Sequence, residues 1–410
     1  MRFSAFLSTS VAVASLAFAQ TDTATMNLTA LINSNQNLSE LNSLLSAMPD
    51  LAAGIANMTN VTLFAPSNAA FSTLNSSNPG LLAGLVSSQN YIQALLSYHL
   101  VPNMSVMAAN ISSTPSFLPT ALNATMYANV TGGQVIEARL GENMTAEIIS
   151  GMKDVANITQ ADVKYNNGIV HIIDSLLSIP ANVSATAEAA DLTDFLGALR
   201  ATNLTAPLNA ASDITVFAPN NEAFQNISSA LSTLTAEQIT NILEYHVING
   251  TIAYSSSLAN ASLPSMAGTN LTITVDKSTG AVFVNSARVI NADILIANGV
   301  LHVLDNVLNP NNTANATSPD QPVFSGASGS ASSTGDMLTS GIAAPSTTNT
   351  ALVATDSTVA AGYTTRMGAG GSAASTGPLS TSSKGIGMPV ATGAVGAAAL
   401  FGGAAMVLNW

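Results

Sequence analysis

Thr62-Leu-Phe64-Ala65-Pro66-Ser-Asn68-Ala-Ala70-Phe71 returns further along the chain as Thr215-Val-Phe217-Ala218-Pro219-Asn-Asn221-Glu-Ala223-Phe224, with seven of ten positions identical. Two more blocks repeat in the same order. Leu96-Ser-Tyr98-His99-Leu100 answers to Leu243-Glu-Tyr245-His246-Val247, and Gly168-Ile-Val-His171-Ile-Ile-Asp174 answers to Gly299-Val-Leu-His302-Val-Leu-Asp305. Three blocks recurring in order define one domain present twice. The copies are unequal: His99 to His171 is 72 residues and His246 to His302 is 56, so the first copy carries about sixteen more between its middle and last blocks. Insertions of this kind usually lie in surface loops. They either diversify the binding face of the first copy or do nothing.

Each copy mixes two periodicities. Val61 to Ala65 and Ile214 to Ala218 are β-branched and aromatic runs that stop at Pro, which suits strands. The Asn after that Pro predicts a helix start for the segments ending in Phe71 and Phe224. Thr235-Ala-Glu-Gln238 reads as a capping box. The helix it opens carries Ile239, Ile242, Leu243 and His246 on one apolar face, a spacing that Ile92, Leu95, Leu96 and His99 repeat. Leu271 to Val275 alternates, and Lys277-Ser-Thr-Gly280 turns it into a hairpin with Ala281 to Val284. Ile169 to Ile173 and Val300 to Leu304 read as buried final strands. Strands and helices within one repeat make an α+β domain.

The T-[LV]-F-A-P-x-N-x-A-F block, the Tyr-His pair and the G-[IV]-[VL]-H-[IV]-[IL]-D block resemble the signature of the fasciclin domain. The resemblance covers roughly residues 24 to 309. It implies two tandem domains, each a wedge of β-sheet with a cluster of helices at one side, and an extracellular adhesion or matrix module without catalytic activity. Two further segments resemble family adhesion motifs. Asn291-Ala-Asp293-Ile294-Leu295 is similar to a segment that animal fasciclin proteins use for integrin binding; the first copy departs from it, with Gln160-Ala-Asp162-Val163. The segments around Tyr98-His99 and Tyr245-His246 resemble the second such motif. A packing role competes with every one of these assignments: Ile294 and Leu295 suit a core, Asp293 a turn, and Tyr98 and Tyr245 a buried hydrogen bond.

The chain ends read as addresses. Arg2, the apolar run Phe6 to Phe18 and Ala17-Phe-Ala19 predict a signal peptide over residues 1–19 and a mature chain from Gln20. The run is short for a bilayer span, the competing reading. Val390 to Leu408 is uncharged and no basic cluster follows it. This predicts a glycosylphosphatidylinositol signal over 384–410, with Ser380, Ser382 and Ser383 as candidate attachment sites and Gly370 to Ser372 further upstream, in preference to a transmembrane helix. Between them the expected boundaries are 20–180 and 181–309 for the two domains and 310–383 for a stalk. In residues 311–383, 27 of 73 positions are Ser or Thr. That composition cannot bury enough surface to offset chain entropy. It reads as an O-glycosylated tether reaching about 50 Å as a bare coil, or as an unmodified linker of the same topology.

Nineteen N-x-[ST] sites, headed by Asn27, Asn37, Asn57, Asn60, Asn75, Asn103, Asn110, Asn123, Asn129, Asn143, Asn157, Asn182, Asn203, Asn226, Asn249, Asn260, Asn270, Asn311 and Asn315, fit a decorated secreted surface. The 410 residues include no Cys, 8% charged residues and a net charge of −13. No disulfide or thiol chemistry is available, and each repeat is large enough to fold on its own core. The acidic balance excludes a nucleic-acid binder and argues against attraction to anionic lipid surfaces.

Catalytic signals are weak. The four histidines all belong to the repeated blocks, and the chain lacks H-E-x-x-H, a G-x-S-x-G elbow and a Gly-rich phosphate loop. No carboxylate pair stands out as a glycosidase would require. We therefore expect no catalytic residue, metal or cofactor. Trp410 lies in the tail expected to be removed, which leaves Tyr and Phe as the aromatic platforms for sugar. The reading that results is a cell-surface adhesion protein attaching cell to cell, or cell to wall or matrix, membrane-bound through its lipid only. Its partners would be protein or polysaccharide, or a second copy of itself. A glycan-bearing wall component, and more remotely a polysaccharide-active or accessory protein, are the alternatives.

Overall fold

The structure is a computed structural model that describes residues 26–77, 88–312 and Leu352. The expected signal peptide, nearly all of the stalk, the candidate anchor serines and Asn315 lie outside the described residues. Among the described residues of the first domain, five helices (α1 Leu28–Ser34, α2 Ser39–Ser46, α3 Pro49–Asn57, α4 Asn68–Ser77 and α5 Gln89–Tyr98) accompany seven strands. The strands are β1 Val61–Pro66, β2 Leu100–Val101, β3 Ser116–Pro119, β4 Val135–Leu140, β5 Ala146–Ile149, β6 Val155–Tyr165 and β7 Gly168–Ile173. The second domain repeats the plan with helices α6 Val183–Ala189, α7 Thr193–Ala201, α8 Thr205–Ala210, α9 Asn221–Asn226, α10 Ser228–Leu231 and α11 Ala236–Tyr245. Its strands are β8 Ile214–Pro219, β9 Val247–Ile248, β10 Ala261–Pro264, β11 Asn270–Val275, β12 Val282–Val284, β13 Ala287–Ile296 and β14 Gly299–Leu304.

The sheet order is β2-β1-β7-β6-β5-β4-β3 in the first domain and β9-β8-β14-β13-β12-β11-β10 in the second, the same topology twice. β3 to β7 form an antiparallel meander. The exception closes the chain on itself. β7 lies parallel to β1, with Phe64 opposite His171, and β14 lies parallel to β8, with Phe217 opposite His302. Because successive strand residues face opposite sides, Val61, Leu63 and Ala65 pack under the helices with Leu41, Leu96 and Val170. Phe64 turns to the other face, against Tyr98, Ile136 and Ile148. The second domain divides its core in the same way.

The helix and hairpin expectations meet the structure closely. The capping box at Thr235 is formed, with Gln238 N donating to Thr235 Oγ1 and Thr235 N to Gln238 Oε1. β11 and β12 pair as the expected hairpin. The helix after the first block does begin at Asn68 and Asn221, but the cap comes from the residue before it. Ala70 N donates to Ser67 Oγ and Ala223 N to Asn220 Oδ1. The repeated Asn instead ties two helices together. Asn68 accepts from Glu40 N and donates to Gln36 O, and Asn221 accepts from Asp194 N and donates to Asp191 O.

The inserted residues keep only in part to the expected surface loops. The β3–β4 connection spans fifteen residues, 120–134, against five, 265–269, in the second domain, and β5–β6 spans five, 150–154, against two, 285–286. Both longer connections lie against the second domain. Asn129 N donates to Ala297 O at 2.7 Å, Gln134 Nε2 to Ile296 O at 3.0 Å, and Thr131 N to Asp213 Oδ1 at 2.7 Å. Met152, in the β5–β6 connection, packs on the second domain's helix-side core. Phe117 of β3 stacks on Tyr254 with ring centroids 3.9 Å apart. Part of the insertion length has gone to a domain junction, while residues 123–126, Thr131 and Gly132 of the longer connection stay exposed. From the stalk, Leu352 is fully buried in the second domain's core.

The glycine that opens each last block is needed for the parallel pairing. A Cβ on Gly168 would lie 2.0 Å from Val61 O, and one on Gly299 1.9 Å from Ile214 O. A backbone oxygen of the paired strand cannot swing aside as a flexible side chain can. Gly168→Ala and Gly299→Ala are each expected to cost about 2 kcal/mol or more and to lower Tm by roughly 5 °C in a thermal scan. Gly54→Ala, whose Cβ meets nothing within 4 Å in α3, should hold or raise Tm.

Candidate functional site

The repeated blocks converge on one buried constellation per domain. His99 caps the end of α5. Leu177 N donates to its Nε2 at 3.0 Å, so that nitrogen is unprotonated, and Nδ1–H donates to Leu95 O at 2.7 Å. His246 does the same between Leu308 N, at 2.9 Å, and Ile242 O, at 2.7 Å. His171 is the opposite tautomer: Nε2–H donates to Val106 O at 2.8 Å and Nδ1 accepts from Asp162 N at 3.2 Å. His302 matches it, on Ala253 O and Asp293 N. Burial drives His99 and His246 down to about 4, and lowers His171 and His302. All four rings are neutral staples with both nitrogens engaged, so each is spent on the fold.

Asp162 and Asp293 take their place in this network through backbone geometry. Each sits at a register shift between the last two strands, with φ of 56° and 59°. Asp tolerates that left-handed conformation better than most residues. The bulge turns the Asp N–H to the histidine and its carboxylate to the neighbouring loop. Ala108 N donates to Asp162 Oδ1 at 3.0 Å; Ser255 N donates to Asp293 Oδ1 at 2.8 Å, and the Ser255 hydroxyl donates to Oδ2. The Thr of the first block, which the sequence reading gave no role, completes the set. Thr62 Oγ1 donates to Met104 O and accepts from Val106 N; Thr215 Oγ1 donates to Thr251 O and accepts from Ala253 N.

The adhesion candidates therefore face inward. Tyr98 and Tyr245 are fully buried, with hydroxyls donating to Val135 O and Asn270 O. His99, His246, Ile294 and Leu295 are buried, as are Asp293 and Asn291, whose Nδ2 donates to Leu352 O at 3.0 Å. Asp162 is half-buried. The structure brings the Asp of one candidate motif to the histidine of the last block, but it offers these side chains to the interior. A partner would have to open the domain to touch most of them. Among the described residues no group of three or more His, Asp or Glu is placed to hold a metal ion.

What the sequence reading missed is the domain junction. Its residues belong to no repeated block, and the one signal for them was the unequal interval between histidines. Asn129 heads a sequon, yet its Nδ2, the atom that would carry a glycan, donates to Ala210 O and Ala211 O. Thr131 and Asp213 bond twice. A charge cluster also draws on both domains. Glu137 of β4 is 1% exposed, with Oε1 3.7 Å from Arg139 Nη1 and Oε2 unpartnered. Burial raises Glu137 to about 7, Lys153 and Arg139 oppose that shift, and Asp293 and Glu147 add to it. Burial lowers Lys153.

Two domains of this topology, each pinned by the same repeated residues, make a tandem pair of one fold class. The Fasciclin domain family model matches residues 36–180 and 190–310, and the chain belongs to that family. It is 37% identical to a fasciclin-like arabinogalactan protein of Arthroderma benhamiae over 313 residues, 75% of this chain and 72% of the relative. It is 32% identical to the fasciclin-like arabinogalactan protein CTB11 of Cercospora beticola over 54% of this chain and 59% of that one. Transforming growth factor-beta-induced protein ig-h3 of Sus scrofa is 29% identical over 61% of this chain and 34% of its own length.

Glu137 gives the pair a pH signature whose sign is fixed. A carboxyl raised from 4.5 to about 7 in the folded state holds its proton longer there than in the unfolded chain. Its contribution is fully present below pH 4.5 and is lost as pH rises through about 7. The depressed histidines act oppositely: their contribution is present above their ordinary 6.5 and is lost as pH falls through about 4. Glu137→Gln removes the first effect alone. The Tm of the wild type relative to Glu137→Gln is therefore expected to fall between pH 5 and pH 8, measured at constant ionic strength.

Proposed function

We propose that this chain is a secreted, glycosylated surface protein, anchored by a lipid, whose joined fasciclin domains act as one adhesion unit between cells or between cell and wall or matrix. One observation carries the reading: the chemistry-bearing residues of the repeats are consumed by the fold, while the extra length of the first domain joins it to the second. What a partner meets is then the outer surface of a joined pair. A noncatalytic role fits four histidines with both nitrogens engaged. Two fungal relatives named fasciclin-like arabinogalactan proteins support a wall setting. Weak contacts repeated over many copies on one surface would gain strength by avidity.

The glycan-display alternative has its own support. Of the eighteen described sequon asparagines, sixteen are exposed, and Asn129 and Asn157 are half-buried. Asn157 Nδ2 donates to Asp174 Oδ2 at 2.9 Å. Glycopeptide mass spectrometry of the native protein is expected to find Asn129 and Asn157 unmodified and exposed sequons such as Asn226 and Asn260 occupied.

Bead clustering separates the two readings. Beads carrying the mature protein are expected to cluster after enzymatic removal of N- and O-glycans if the domains adhere; loss on deglycosylation favours the glycans. Asp213→Ala breaks both bonds to Thr131 and is expected to weaken clustering by loosening the pair. Asp293→Ala leaves Ser255 without its acceptor and should cost about 1–3 kcal/mol of stability, with clustering retained below the lowered Tm. Clustering lost in Asp293→Ala at unchanged Tm would instead mark Asp293 as a partner contact.

A further inference from the structure

The insertion that joins the domains has a second wall. Its first part, residues 121–127, runs beside α5 before the chain turns to the junction at Asn129. Between this wall, the outer edge of α5 and the length of α3 lie two adjoining hollows of about 510 and 270 Å³, which share Gln93, Ser97 and Ala121. They form one groove along the first domain, in the size range of small-ligand sites. The second domain has only residues 265–269 where this wall stands, so the smaller hollow is a product of the insertion, which gives the larger one Ala121.

Its lining has a definite chemistry. Among the described residues that line it there is no Lys or Arg, and the one carboxylate is Asp50. Gln89, Asn90, Gln93 and Asn123 bring four amides, each with donors and an acceptor. Among the described residues, no hydrogen bond of the chain engages these side chains. Tyr127 is half-buried and held edge-on to Tyr91, with centroids 5.8 Å apart at 77°. Met126, 78% exposed, lies on the lip.

We propose that this groove binds a stretch of neutral polysaccharide from the surrounding wall or matrix. A neutral sugar presents hydroxyl edges that need both donors and acceptors, and C–H faces that pack on apolar and aromatic groups. Amides, Ser97, Tyr127 and Met126 offer that mixture. A phosphorylated or acidic ligand would find no cation here, and an apolar one would strand the amides. The proposal rests on the adhesion reading and gives it a ligand. Asn123 heads a sequon in the groove wall, so a glycan attached there would compete for the same space.

The test uses the full mature protein and its Thr125→Ala variant, which removes the Asn123 sequon and keeps the amide. Laminarihexaose, cellohexaose, chitohexaose and mannohexaose are titrated by calorimetry. At least one hexaose is expected to bind, more tightly to Thr125→Ala. Gln93→Ala, an exposed change on a helix, and Tyr127→Ala should each weaken binding about tenfold, with Tm recorded for both. Thr240→Ala, at the helix position of the second domain that matches Gln93, should not. No binding by any hexaose in either background, or binding indifferent to Gln93→Ala and Tyr127→Ala, overturns the proposal; so does preference for an uncharged peptide in the same groove. Bead clustering without hexaose binding would defeat the groove assignment and spare the adhesion reading. Hexaose binding at the groove without clustering would do the reverse.

Discussion

Each domain depends on a strand from its beginning lying parallel to a strand from its end, held by histidines that stay neutral. Parallel neighbours cannot be joined by a tight turn, so the intervening chain must be closed as a long loop, at an entropic cost. Phe64 stacked on His171, and Phe217 on His302, sit at the matched register of that pairing. The histidines then bond outward to loops at 106 and 253, and the capping histidines bond to the chain just beyond the last strand. A charged imidazolium would lose the accepting nitrogen in all four cases. The network is therefore tied to neutrality, which burial enforces.

That requirement explains why the most recognisable residues of the repeats are poor candidates for partner contact. Asp293 and its counterpart Asp162 occupy a bulge where φ is positive, and their carboxylates satisfy backbone N–H groups that would otherwise be stranded. Residues repeated to this degree answer to the fold. What differs between the domains is freer to serve function, and the largest difference is the 120–134 connection. One part of it joins the second domain and another walls the groove along α5. The division of labour follows from loop physics: a core repeats because it must pack, whereas a loop departs where its backbone can find other partners.

The junction also shows how polar groups are handled when two domains meet. Gln134 is buried, but both ends of its amide are satisfied, by Val135 N and Ile296 O. Glu137 is the exception, with one oxygen unpartnered and a proton held up to about neutral pH. A buried carboxyl flanked by cations of the first domain and anions of both is costly when charged.

Much of this was legible in the sequence. Duplication, the strand that ends at Pro66 and Pro219, the Thr235 cap and the hairpin after Val275 follow from local rules: proline lacks a donor, side chains alternate along strands, and a hydroxyl caps an exposed helix N-terminus. Burial of His99 and His246 followed from their place on an apolar helix face. The rest depended on groups far apart in sequence. That Asn68 would tie helices together, that Thr62 would bridge Met104 and Val106, and that Asp293 would point inward are decided by what the folded sheet brings alongside. The interval of 72 residues against 56 announced an insertion but not its place. Only the tertiary structure set Asn129, Thr131 and Gln134 against the second domain, because a loop's direction is determined by the partners its backbone finds, and those partners are more than eighty residues away.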